Sequence, residues 1–432
     1  MLTGVMLFTF FGCGKKNNTP SVYFLNFKPE SAAAYEKIAK EYEKETGIRV
    51  KVMTASSGEY ESTLKAEMSK SDVPTIFQLN GPVGYTTWED YCYDLSGTAL
   101  YGYLSDKSLA IQKDGGVYGI PYVVEGYGII YNSAITDKYF ALDGAKFASM
   151  EEIDSFDKLS TLVTDMTSKK EALGIEGVFA STSLAAGNQW RWQTHLLNVP
   201  LYYEFATKGD NTTLEALDAN EIEFEYEEYF KNIFDLYINN SVTQPQLLGS
   251  KSVDDSMAEF ALGRCAMVQN GNWAWSQISG VSGNTVAEED IKMLPIYTGI
   301  PGEEHQGLCV GTESYIAVNA KAEQKDIDAS VAFLEWLFSS ETGKSYVTNE
   351  LGFISPFNTF NDDEKPADPL AREVLSWLDS GKVSVDWMFA AFPSEGYKDA
   401  VGGALLEYSG GNAKWEDVAS AVRERWASER QR

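Results

Sequence analysis

The apolar and polar positions of this chain change period repeatedly, and each change marks an element. Residues 21–27 form a short, nearly continuous apolar run rich in strand formers. Pro29 and Ser31 open the next segment, where Tyr35, Ile38, Ala39 and Tyr42 recur at helical spacing and Ser31 is placed to cap the helix. Gly47 closes it, and a second strand begins at Ile48 and ends near Met53. A helix over 59–69 and a buried strand over 75–79 follow. Strands alternating with helices predict parallel βαβ units, which bind ligands outside the carboxyl ends of their strands. Those ends fall at 27–30, 55–60 and 80–82, and each carries polar side chains, glycine or both.

Residues 118–132 keep strand character but are broken by glycine and proline, with one carboxylate, Glu125, inside the run. From 150 to 280 helical spacing dominates, clearest over 156–166, 227–238 and 254–262. The last third predicts a strand over 314–319 and a helix over 325–338, with Ile327, Val331, Leu334 and Phe338 on one stripe. Further helices are expected from about 366, 397 and 414.

Length changes this picture first. At 432 residues the chain exceeds what one compact core usually supports, so two domains are expected. Hydrophobic residues at 44% and charged residues at 23% give the balance of a soluble globular protein. The 63 acidic and 35 basic residues leave a net charge of −28, which opposes nucleic-acid phosphate and favours neutral or cationic ligands. No nucleic-acid partner is expected. Most of the 24 Tyr, 22 Phe and 10 Trp are expected in the core, but such rings also stack on the apolar faces of pyranoses, and a few in clusters are candidates for that.

The four cysteines (Cys13, Cys92, Cys265 and Cys309) show no metal-ligand spacing, and the two histidines, His195 and His305, stand alone. No metal site, cofactor or disulfide framework is expected, and the three internal cysteines read as small buried apolar residues. At the start, residues 5–11 are apolar and run into Gly12-Cys13-Gly14. The twelve residues before Cys13 span about 18 Å as a helix, short of a bilayer core. The segment resembles a lipoprotein signal, with Phe10 where leucine is usual. Cys13 is then the expected lipidation site and residues 14–20 a tether, so the membrane is touched only through a lipid anchor.

One ordered set of segments carries more than any single motif. Residues 39–50 run from a helix through Gly47 into a strand, and Asp72-Val73-Pro74-Thr75-Ile76-Phe77 follows. Tyr118-Gly119-Ile120-Pro121 and Ile130-Tyr131-Asn132 come next, then Phe260-Ala261-Leu262-Gly263-Arg264 and Asn270-Gly271-Asn272-Trp273-Ala274-Trp275. From residue 21 to the carboxyl terminus this set resembles the extracellular solute-binding proteins of ABC sugar importers, the maltose-binding type. The resemblance implies an α/β fold of the periplasmic-binding-protein type II. Two discontinuous lobes, 21–122 plus 311–355 and 123–310 plus 356–432, are then joined by a multi-strand hinge, with crossings near 121–127, 308–311 and 353–357. It also implies sugar or oligosaccharide capture between the lobes, delivery to the transmembrane subunits of an ABC permease, a monomer, and a place on the extracellular face of the cytoplasmic membrane.

Site candidates follow from both readings. Glu125 can accept paired hydrogen bonds from vicinal hydroxyls, and the family places a ligand-contacting glutamate at the matching position. Trp273 matches a tryptophan that stacks on sugar, presented by a turn at Gly271 and Asn272, while Trp275 reads as core. In residues 188–193, Trp190 and Trp192 point about 200° apart on a helix, so one faces ligand and the other core; Trp190 is assigned to the ligand. Lys28, Glu30, Tyr60 and Asn80 follow strand ends, with turn or capping roles as their alternative. Asn270, Glu313, Trp387 and Phe389 complete the set, the last two against a reading as packing beneath the final helix. The competing expectation is a secreted glycoside hydrolase with two carboxylates across a sugar bond. Neither a nucleophile elbow, a P-loop nor a zinc-protease motif is present, and no catalytic residue is assigned.

Overall fold

The computed structural model describes residues 19–430 except Ser57, Asp210 and Asp362. Cys13 and residues 1–18 lie outside the described residues, as do Gln431 and Arg432. Two sheets organise the chain. The first contains β1 (Ser21–Asn26), β2 (Arg49–Thr54), β3 (Ile76–Asn80), β4 (Ile111–Lys113), β5 (Gly116–Pro121) and β10 (Ser314–Val318) in the order β2-β1-β3-β10-β5-β4. The second contains β6 (Glu125–Asn132), β7 (Met267–Gly271), β8 (Ile291–Leu294), β9 (Gln306–Gly311) and β11 (Val383–Asp386). Its order is β11-β9-β6-β7, with β8 also pairing β6.

β1 is parallel to both β2 and β3, and from Val22 onward all its residues are buried, as a strand covered on both faces requires. The helix Ala32–Thr46 buries Tyr35, Ile38, Ala39 and Tyr42 and ends at Gly47, whose φ of 74° suits the left-handed cap. Ser31 sits at its start but makes no side-chain cap bond, so the expected capping role is not found there. β10 runs antiparallel to β3 and β5, with Ser314 opposite Asn80.

Between β5 and β6 the chain passes from one sheet to the other over 122–124, and between β9 and β10 it returns over 312–313. Gly311, expected on the first-lobe side, still pairs with Glu125 in the second sheet. A third passage follows the helices Gln324–Ser339 and Glu341–Asn349, where Ile354 bridges Val124. Asp368 then caps the helix Pro369–Leu378, which packs on β6, β8 and β9. Each sheet has its own apolar core, one built around Phe24, Tyr35 and Phe333 and the other around Tyr127, Phe179 and Trp426. The fold is thus two α/β lobes linked by three chain passages. Cys92, Cys265 and Cys309 are free and buried. Among the described residues no helix is long and apolar enough to cross a membrane.

Candidate functional site

A cleft of about 770 Å³ lies between the lobes, within the range of small-molecule sites. The first lobe contributes the carboxyl ends of its strands. After β1 come Phe27, Lys28 and Glu30; after β2, Glu59, Tyr60 and Glu61; at the end of β3, Asn80. The turn at Lys28 is fixed by Asn26, whose amide donates to the Lys28 carbonyl (2.7 Å) and whose Oδ1 accepts from the Lys28 N–H (3.0 Å). Lys28 Nζ thereby reaches Glu125 Oε1 at 2.7 Å, at the first residue of β6, and stands 3.9 Å from Glu30. Burial disfavours the Lys28 ammonium, but Glu125 and Glu30 outweigh it and hold its pKa above the ordinary value. Burial likewise raises the Glu30 carboxyl, against the pull of Lys28. The Tyr60 hydroxyl accepts from the Gln78 N–H at 2.6 Å, and Asn80 spans Gln78 and Glu61 without making a side-chain cap bond, so both are tied to neighbouring elements rather than capping or forming a turn, and both line the cleft.

The second lobe supplies an aromatic floor. Trp190 precedes a π-helical turn at Arg191–Leu196, Trp273 follows β7, and Trp387 follows β11. Trp273 stands 6.1 Å from Trp190 and 6.2 Å from Trp387, ring centre to ring centre. At their centre His195 stacks on Tyr127 at 4.3 Å, and burial holds it well below its ordinary pKa, so the ring is neutral. Two buried amides fix this floor. Asn272 Oδ1 accepts from the Gly126 N–H, tying the turn before Trp273 to β6. Asn198 donates to the Asp386 carbonyl and accepts from the Phe389 N–H, clamping the segment that carries Trp387.

Six residues of the cleft lining each hold a buried side-chain polar atom with no hydrogen-bond partner among the described residues: His195 Nδ1, Trp273 Nε1, Trp387 Nε1, Gln193 Oε1, Thr194 Oγ1 and Gln277 Oε1. Buried polar groups are ordinarily paired, so this set concentrates unmet donors and acceptors in the residues that wall the cleft. Among the described residues no group of three or more His, Cys, Asp or Glu is placed to hold a metal ion.

Of the sequence candidates, Lys28, Glu30, Tyr60, Asn80, Glu125, Trp190, Trp273, Glu313 and Trp387 all line the cleft. Glu313, between β9 and β10, is pushed up to about 7 by burial, against the pull of Lys398. Asn270 and Phe389 do not reach the cleft. Asn270 is wholly buried in β7, with its Oδ1 on the Gly271 N–H and its amide toward Met257 Sδ. Phe389 is rolled beneath the floor by the 3-10 turn Met388–Ala391 and packs 5.2 Å from His195. Trp192, assigned to the core, is buried there, and Trp275 packs partly buried against the second lobe.

Sequence reasoning did not find His195, Gln193, Thr194, Gln277 or the charged group Glu395, Lys398 and Asp399. A signal existed for most of them. Gln193 and Thr194 follow Trp190 by three and four residues, and Lys398 and Asp399 follow Glu395 in the same way, which puts each set on one helical face.

Comparison with known proteins is consistent with this architecture. The sequence matches the family described as bacterial extracellular solute-binding protein over residues 37–373. No curated protein matches the chain in sequence. Among solved structures, the solute-binding protein RafE in complex with raffinose superposes with a TM-score of 0.72 at 17% identity, covering 95% of this chain and 100% of that one. A chitin oligosaccharide binding protein gives 0.71 at 17% identity over 96% of this chain and 100% of that one. The GacH receptor of Streptomyces glaucescens GLA.O gives 0.68 at 18% identity, covering 96% and 99%. At such identities the likeness establishes the fold.

Proposed function

This chain belongs to the bacterial extracellular solute-binding proteins, and from that premise we propose that it captures an oligosaccharide in the interlobe cleft and hands it, chemically unaltered, to an ABC permease. The carrying observation is the second-lobe floor, where three tryptophans surround a neutral histidine and the buried N–H groups of two of them, Trp273 and Trp387, lack partners among the described residues. Indole faces stack on the apolar faces of sugar rings, and unpaired N–H groups and amide oxygens suit hydroxyls, which both donate and accept.

The lobes divide the work. The aromatic floor belongs entirely to the second lobe, while the first lobe offers mainly polar side chains such as Lys28, Glu30 and Asn80. Ligand therefore seats on the second lobe, and closure adds the first-lobe contacts. Only contacts better made in the closed state bias closure, so the first lobe supplies the coupling.

By their descriptions, the similar structures named above are a complex with raffinose, a chitin oligosaccharide binding protein, and a receptor in complex with acarbose and an acarbose homolog, which supports an oligosaccharide here. Lipidation at Cys13 and residence as a monomer on the outer face of the membrane complete the reading. Calorimetric titration of the purified protein with a panel of neutral oligosaccharides tests it, with saturable binding to at least one member expected. Hydrolysis of a glycoside, abolished by replacing a single cleft carboxylate, would instead restore the glycosidase expectation.

A further inference from the structure

The cleft has a one-sided charge that the capture of a neutral sugar does not need. Its first-lobe wall carries Glu30, Glu59 and Glu61, and its second-lobe wall carries Asp254, Glu395 and Asp399. Glu125 and Glu313 stand at the chain passages between them. Against these eight carboxyl groups the described residues of the lining include two ammonium groups, and neither is free. Lys28 lies 2.7 Å from Glu125, and Lys398 lies 2.8 Å from Glu395. The other nearby cation, Arg191, does not itself line the cleft: its guanidinium is buried, lies 3.8 Å from the Trp190 ring centre, has no hydrogen-bond partner among the described residues, and is drawn electrostatically to Glu30 and Asp254. His195 adds no positive charge, since burial keeps it neutral.

Resting on the saccharide reading above, we infer that the cleft selects its ligand by charge, admitting neutral or amine-bearing saccharides and rejecting those that carry carboxylate or sulfate groups. An anionic ligand entering here loses its water, finds no unpaired cation among the described residues of the lining, and meets a field that low-dielectric walls focus inward. A hydroxyl or an ammonium also loses water but finds carboxyl groups that accept its hydrogen bonds. The carboxyl groups still serve neutral sugar, because each accepts hydrogen bonds from hydroxyls. The selection is local rather than a product of the overall charge of −28, because at physiological salt exposed charges are screened beyond about 8 Å.

The experiment uses the full chain and matched probes. Maltotetraose, cellotetraose and chitotetraose are titrated beside their counterparts oxidised to carboxylates at the primary hydroxyls, at low and high salt. The same titrations are made on the double variant Asp254→Lys/Asp399→Lys, whose two positions are exposed on the cleft wall. For whichever neutral saccharide binds, the oxidised form is expected to bind at least tenfold more weakly at low salt, with the gap narrowing at high salt and in the double variant. Equal affinities overturn the inference, and so does a gap that neither salt nor charge reversal changes, since that gap is steric. Failure of every saccharide, neutral or oxidised, to bind overturns the saccharide reading itself and this inference with it.

Discussion

The pair Lys28–Glu125 makes the sharpest energetic demand of the structure. Its partners stand 97 positions apart in sequence, yet Nζ and Oε1 meet at 2.7 Å with side chains only 5% and 4% exposed, so solvent screens the pair little. Removing one partner of a buried pair strands the other charge and costs about 3–5 kcal/mol, whereas replacing both with apolar groups of similar volume is often neutral or stabilising. Lys28→Met is therefore expected to destabilise the ligand-free protein by about 3–5 kcal/mol. At roughly 2–4 °C per kcal/mol for a domain-sized unit, that lowers Tm by roughly 6–20 °C. Lys28→Met/Glu125→Met is expected to recover most of the loss. Urea unfolding followed by tryptophan fluorescence, with single and double variants in one cycle, measures the coupling directly. Two results refute the reasoning: a single variant that costs under 1 kcal/mol, or a double variant no more stable than the worse single. Either would mean that the two charges do not depend on each other for burial.

Three further perturbations probe other parts of the site. Trp273→Ala removes the central ring of the floor and is expected to weaken saccharide binding by an order of magnitude or more by calorimetry, with Tm nearly unchanged; unchanged affinity would remove Trp273 from the site. Gly58, with φ of 76°, meets the second lobe so closely that an added Cβ would lie 2.9 Å from the Gly187 carbonyl oxygen. Gly58→Ala should hold the lobes apart, read as weaker binding and a radius of gyration by small-angle scattering that no longer shrinks on adding saccharide. Glu313, with its folded pKa raised to about 7, favours the folded state while protonated, so that contribution is fully present below the ordinary carboxyl range and is lost as pH rises through about 7. Tm should fall between pH 5 and pH 8 more steeply in the parent than in Glu313→Gln, and parallel profiles would exclude this role.

The first lobe was legible because its strands carry their own signal. β1 and β3 are buried on both faces and read as short, mostly apolar runs, and the helix Ala32–Thr46 shows one apolar stripe ending at glycine. The second sheet hid better. β8 and β11 have four residues each, too few for a period to declare itself, and β11 exists because it lies along β9, a contact made across about 80 residues of chain. No local pattern specifies such a partner.

The site divides along the same line. Residue type and neighbourhood, together with the family resemblance at Glu125, Trp273 and Trp387, were enough to bring Trp190, Trp273, Trp387 and Glu125 to one cleft, because strand ends and turns bias where a side chain can go. They did not decide facing. Trp387 and Phe389 are two positions apart and chemically alike, yet the 3-10 turn after β11 turns one ring to the cleft and the other beneath His195. Asn270 failed for a related reason: on a strand paired with β6 and packed on its other side against Met257, an amide is held inward by its own backbone and a sulfur. Reach into a ligand space depends on which side of a packed layer a residue falls, and in this chain the layers are set by the pairing of distant strands. That is why His195, isolated in sequence, stands at the centre of the floor: Tyr127 from β6 lies against its ring and donates to its carbonyl, and nothing within the local sequence of either residue announces the other.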